Sequence, residues 1–103
     1  MSLPSFLQPY LASYNISLLD GRNPTVKNEV ITQVLNSGDD QATKWVFKNY
    51  SLKDIKEVLS NPQRGVWFKD SLDYWARLLS IKLPENVYKN SILELNPNVS
   101  KNT

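Results

Sequence analysis

With 103 residues, 41% of them apolar and 21% charged, the chain has the length and composition of one ordinary domain with a single hydrophobic core. It contains no Cys and no His, which excludes disulfides, thiolate clusters and thiolate zinc sites, and removes the commonest general base and transition-metal ligand. The net charge of +2 is far from the dense basic footprint of a dedicated nucleic-acid binder.

The excess charge is unevenly placed. Between positions 44 and 69, Lys44, Lys48, Lys53, Lys56, Arg64 and Lys69 stand against only Asp54 and Glu57. Such a patch suits a weakly acidic partner. No run approaches the roughly 20 apolar residues of a membrane helix. The opening MSLPSFLQPYL has no basic segment, and two prolines interrupt it, so it does not read as a signal peptide. A cytoplasmic location without membrane contact is expected. Met1, Ser2 and Leu3 are given no structural weight.

Phe6, Leu7, Tyr10, Leu11 and Tyr14 recur at helical spacing. Pro4 suits a first helical position, whereas Pro9 would cost a longer helix a hydrogen bond. The spacing predicts one or two helical turns, broken near Pro9 and laid over the core as an apolar strap. Ile16, Leu18 and Leu19 are expected to plug in behind it, and Asp20-Gly21-Arg22-Asn23 carries turn chemistry.

Asn23-Pro24 is a helix start, an N-cap followed by proline at N1. Val26, Val30, Ile31, Val34 and Leu35 form its apolar stripe, and Gly38 is expected to close it in the left-handed conformation. Asp39 caps a second helix in which Ala42, Trp45, Val46 and Tyr50 share a face, with Phe47 to one side. Ser51 and Asp54 make a capping box for a third helix, buried through Leu52, Ile55, Val58 and Leu59. Asn61-Pro62 ends it, because the residue before proline is pushed out of the α region.

Gln63 to Lys69 reads as irregular. Asp70 then caps a fourth helix, with Leu72, Trp75, Ala76 and Leu79 inward and Tyr74 and Leu78 on a flank. Leu83-Pro84 breaks it and opens a fifth, whose apolar positions are Val87, Tyr88, Ile92 and Leu95. The prediction is an all-α, compact bundle of about five helices with short connections and an N-terminal apolar strap. Residues 1–95 form one domain and 96–103 a disordered polar tail. The stretch Trp45 to Trp75, which holds all three tryptophans, is expected to be its centre.

The segments LPSFLQPYL, VITQVLNSGD, WVFKNYSLKDIKEVLSNPQRG and YWARLLSIKLP resemble a small uncharacterised all-helical bacterial family, over residues 3 to about 92. Genes of that family often lie beside a nucleotidyltransferase-type toxin of the abortive-infection class. The resemblance therefore implies a single helical domain acting as an antitoxin or accessory partner of such a toxin. Where members have a basic, leucine-containing segment before the fourth helix, this chain has Arg64-Gly65-Val66-Trp67-Phe68.

The residues themselves carry little chemistry. Asp70 with Asp73, Asp54 with Glu57 and Asp39 with Asp40 lie near helix starts, where acids favour the positive end of the helix dipole; no pair has a third ligand nearby in sequence. No Ser is followed by Lys at the dyad spacing, and three glycines make no phosphate loop. The chain is not expected to be an enzyme or to hold a cofactor.

The joint at Tyr50-Ser51 has the length of a helix-turn-helix turn, but Lys53, Lys56 and Glu57 give the second helix a mixed face without a base-reading side chain near its start. A small DNA-binding regulator is thus the alternative to a protein-interaction domain. The candidate partner-binding residues are Arg64, Trp67, Phe68 and Lys69, since aromatic and arginine side chains anchor interfaces. The competing expectation is that both aromatics close the bundle while Arg64 bonds free carbonyls at the end of the third helix.

Overall fold

One helix, α1 (Pro24–Ser37), packs against the N-terminal strap and the three helices that follow it, and the fold is built round it rather than round the tryptophan-rich stretch. The structure, a computed structural model, describes residues 1–94; Leu95 and the predicted tail at 96–103 lie outside the described residues. As predicted, Asn23 caps α1, its side chain accepting from the N–H groups of Thr25 and Val26 at 2.9 and 3.3 Å. Val30, Ile31, Val34 and Leu35 are buried, and so are Thr32 and Asn36. The apolar stripe alone does not reveal those two, because α1 is covered on more than one side.

Residues Ser5–Leu11 form a continuous 3-10 helix, so the predicted break at Pro9 does not occur. The ring of a proline strikes the carbonyl four residues back in an α-helix, and a 3-10 helix does not use that bonding pattern. Leu3, Leu7 and Leu11 bury against the core, which gives Leu3 the weight the sequence reading withheld. The Gln8 side chain donates to the carbonyls of Leu11 and Tyr14 and fixes the strap's exit. Ile16 is buried behind it as expected, but Leu18 is 80% exposed. The short helical turn Ile16–Leu18 aims its first residue inward and its last outward.

Helix α2 (Asp40–Asn49) starts at Asp39, which accepts from the Ala42 N–H at 2.9 Å. Gly38 is extended (φ −75°, ψ 157°), not left-handed. It is glycine for lack of room: a Cβ there would sit 2.6 Å from the Val34 carbonyl oxygen. Trp45 lies half-buried at the core's edge, its ring edge-on to Tyr50 at 5.6 Å.

Tyr50 is buried and donates its hydroxyl to the Gly21 carbonyl at 2.9 Å, tying the end of α2 to the turn before α1. Burial pushes its pKa up to about 12, with the charges of Asp20 and Asp54 acting the same way. The folded state therefore favours the neutral phenol. That stability is complete below about pH 10 and is lost as pH rises through about 12. Denaturant midpoints of the wild type are expected to fall across that window, and those of Tyr50→Phe to fall less steeply. Equal slopes would show that Tyr50 does not titrate with folding.

Ser51 caps α3 (Leu52–Ser60), accepting from the Asp54 N–H at 3.0 Å, while the Asp54 carboxylate pairs with Lys27 of α1 at 3.2 Å. The ion pair with Lys27, helped by Ser51, lowers the Asp54 pKa. Ile55, Val58 and Leu59 are buried, but Leu52 is exposed. It is the first residue of α3, where its neighbours Ser51 and Lys53 are exposed as well. Asn61 ends α3 as predicted, and it, not Arg64, bonds the Glu57 carbonyl, through both its side-chain amide and its backbone N–H.

Helix α4 (Lys69–Leu78) begins two residues earlier than its acidic cap predicts, with Phe68 at the N-cap and no side chain capping it. Asp70 lies inside the first turn. Its start is set instead from α1: Asn36 Oδ1 accepts from the Phe68 N–H at 2.9 Å, and the Ser71 hydroxyl donates to the Asn36 carbonyl at 2.7 Å. Ser80, at φ 57°, closes α4, and the Ile81 N–H reaches back to the Ala76 carbonyl at 2.8 Å.

The last helix among the described residues, α5 (Glu85–Ser91), follows Pro84. The chain beyond it runs beside the irregular loop. Gly65 N–H bonds the Asn90 carbonyl, Val66 and Trp67 bond Ser91, and the Leu93 N–H returns to the Trp67 carbonyl. One isolated parallel bridge, Trp67 with Ile92, is the extent of β pairing among the described residues. The all-α class is as predicted.

Candidate interaction surface

The irregular loop separates its two aromatics. Trp67 is fully buried, the largest fully buried side chain in the core, whereas Phe68 is 46% exposed. Trp67 is thereby withdrawn as a partner-binding residue, since no partner reaches it without unfolding the loop. Of the other three candidates, Arg64 is exposed beside Gly65, whose φ of 69° makes the loop's tight bend. Lys69 is exposed but engaged, its ammonium 2.9 Å from the Asp73 carboxylate. Asp73 also accepts from the Tyr88 hydroxyl at 2.6 Å, and the hydrogen bonds from Lys69 and Tyr88 lower its pKa. Lys69 and Phe68 start α4; Arg64 and Lys69 are not combined into one free basic cluster.

Phe68 belongs with side chains that the stripes left on flanks. Phe47 on α2 lies 5.5 Å from the Trp75 ring on α4, and Tyr74 stands edge-on to the same ring at 4.9 Å. Trp75 is itself fixed, its indole N–H donating to the Leu35 carbonyl at 2.8 Å. Tyr74 and Leu78, one helical turn apart, are 57% and 58% exposed. The rings of Phe47, Trp75 and Tyr74 thus form one continuous aromatic surface, extended along α4 by Leu78. Single exposed apolar side chains are ordinary, but contiguous ones are not. The sequence carried the signal: Phe47, Tyr74 and Leu78 are large apolar residues that do not fit the buried stripes of their own helices.

One acid of each pair has a local role. Asp54 is paired with Lys27, Asp73 with Lys69, and Asp39 caps α2. No three metal-ligating side chains gather among the described residues. An open polar cleft of about 240 Å³ lies between α1 and α3, with Lys27, Asn28, Asp54, Glu57 and Asn61 on its walls. Two of its charges, Lys27 and Asp54, are paired with each other at 3.2 Å. No helix among the described residues is long and apolar enough to cross a membrane.

The fold thus defines an all-α domain with an aromatic face on α2 and α4. Comparison of the chain with protein-family models, curated proteins and solved structures finds no match.

Proposed function

We propose that the chain is a non-catalytic protein-interaction domain, docking a partner through the aromatic face of Phe47, Tyr74, Trp75 and Leu78, with Phe68 at the start of α4. The observation that supports this reading is the continuous exposed aromatic surface around Trp75, whose ring is held in place by the Leu35 carbonyl. Rigid aromatic side chains lose little entropy on binding and dominate interface energetics. The partner is the one the family resemblance suggests, a nucleotidyltransferase-type toxin encoded nearby, which this chain would serve as antitoxin or accessory subunit.

Co-expression with the neighbouring gene product, followed by size exclusion, is expected to give one stable complex. Tyr74→Ala with Leu78→Ala is expected to weaken that complex by at least about thirtyfold, the scale of a lost hot spot. Two separate peaks for the wild-type pair would remove the toxin-partner reading. A complex indifferent to the double substitution would remove the aromatic face from it.

The second reading, a small DNA-binding regulator, draws on the two-residue corner Tyr50-Ser51 between α2 and α3 and on the exposed Lys53 of α3. Its affinity for duplex DNA would fall steeply with salt, and absence of binding at low salt ends it.

A further inference from the structure

Asp70, Tyr74, Arg77 and Leu78 recur at i, i+4, i+7 and i+8, so they share one face of α4, and all four are exposed. Neither Asp70 nor Arg77 makes an ion pair with a described residue. The two opposite charges stand about one turn on either side of Tyr74. Such a face is complementary to itself.

Resting on the interaction-face reading, we propose that a second copy of this chain occupies this face when the other partner is absent, in a two-fold pair of antiparallel α4 helices. A two-fold interface brings the same patch together twice. With the axis beside Asp73 and Tyr74, Asp70 lies opposite Arg77 of the second copy, and Arg77 opposite its Asp70. Both charge pairs close in the same register. Tyr74 meets its own equivalent at the centre, and Leu78 falls against the second copy's Phe68, the exposed aromatic at the other end of the helix. One register accounts for the three exposed apolar side chains at or on α4 and for both unpaired charges.

The charges have a plainer local role as well, since an acid in the first turn and a base in the last both favour the helix dipole. Exchanging them separates the two roles. Dipole favour would be lost twice over, while complementarity across a two-fold would be restored.

The contact is small. A ten-residue helix is about 15 Å long, and its face covers less than the roughly 800 Å² per partner of a standard interface, so the expected dissociation constant is on the order of tens of micromolar.

Sedimentation equilibrium of the full chain, from about one micromolar to about one millimolar, brackets that value. The wild type is expected to move from monomer to dimer mass across the range, and Leu78→Ala to remain monomeric. Asp70→Arg and Arg77→Asp are each expected to weaken dimerisation at least tenfold, because either one creates two like-charge contacts across the axis. The two together are expected to return to within about threefold of the wild type. Thermal unfolding of each variant checks that it is folded at the temperature used. A monomer at every concentration would overturn the proposal, as would a double variant no better than the singles. These outcomes are distinguishable from failure of the interaction face itself. If the chain is monomeric but Tyr74→Ala with Leu78→Ala still breaks the complex with the neighbouring gene product, the face stands and the second copy falls.

Discussion

Trp67→Ala is expected to lower the free energy of unfolding by about 3–5 kcal/mol, a large part of the 5–15 kcal/mol that holds a typical domain together. Trp67 has no exposed surface and is the largest fully buried side chain. Its backbone is tied on both sides, the N–H to Ser91 and the carbonyl to the Leu93 N–H, so the loop has little freedom to collapse into the space left by the indole. Trp67→Phe is the informative companion. The indole N–H is buried and finds no acceptor among the described residues, so exchanging it for Phe loses packing without breaking a hydrogen bond. Its expected cost is about 1–2 kcal/mol, well below that of Ala. Urea unfolding curves with an unchanged m value give both numbers. A Trp67→Ala cost under about 1 kcal/mol would mean that the loop does not close the core.

Where the helices begin and end was readable when the deciding chemistry was local. Asn23, Asp39 and Ser51 cap their helices through amides two or three residues on, and Asn61-Pro62 stops α3 through its own sterics. Reading failed where distant residues decide. Gly38 is required by the carbonyl of Val34, and α4 starts where Asn36 holds the Phe68 amide, 32 positions away in sequence. A period gives the direction of a side chain but not the extent of what covers it, which is why Leu52 is exposed. The same holds for the candidate site. The sequence leaves open whether Trp67 and Phe68 both close the bundle or both meet a partner, and neither holds: with the loop paired to Asn90 through Leu93, Trp67 is inside and Phe68 outside. Lys69, a candidate partner-binding residue by its sequence, is paired with Asp73 one turn on. The aromatic face was visible only as misfits, Phe47, Tyr74 and Leu78 off their stripes. Their contact through Trp75 depends on how α2 and α4 meet.

Asn36 makes this placement possible, and its substitution is the second large effect. Its amide donates to the Val66 carbonyl at 2.9 Å, its side-chain oxygen accepts from the Phe68 N–H at 2.9 Å, and its backbone carbonyl takes the Ser71 hydroxyl at 2.7 Å. Ala at this position keeps only the last of these. It strands one carbonyl and one N–H in a largely buried site, each at about 1–3 kcal/mol, so a loss of about 2–6 kcal/mol is expected. Asn36→Asp is expected to fall between wild type and Ala: its carboxylate still accepts from Phe68 but faces the Val66 carbonyl with no proton to donate at neutral pH. The loss should also be localised. Phe68 is the N-cap of α4, so hydrogen exchange at the Phe68 amide should quicken in Asn36→Ala by more than the global destabilisation predicts, and partner binding should weaken although Asn36 itself is buried. If the Phe68 amide keeps its wild-type protection in Asn36→Ala, then α4 is started by something other than this side chain, and the aromatic face does not depend on α1 for its position.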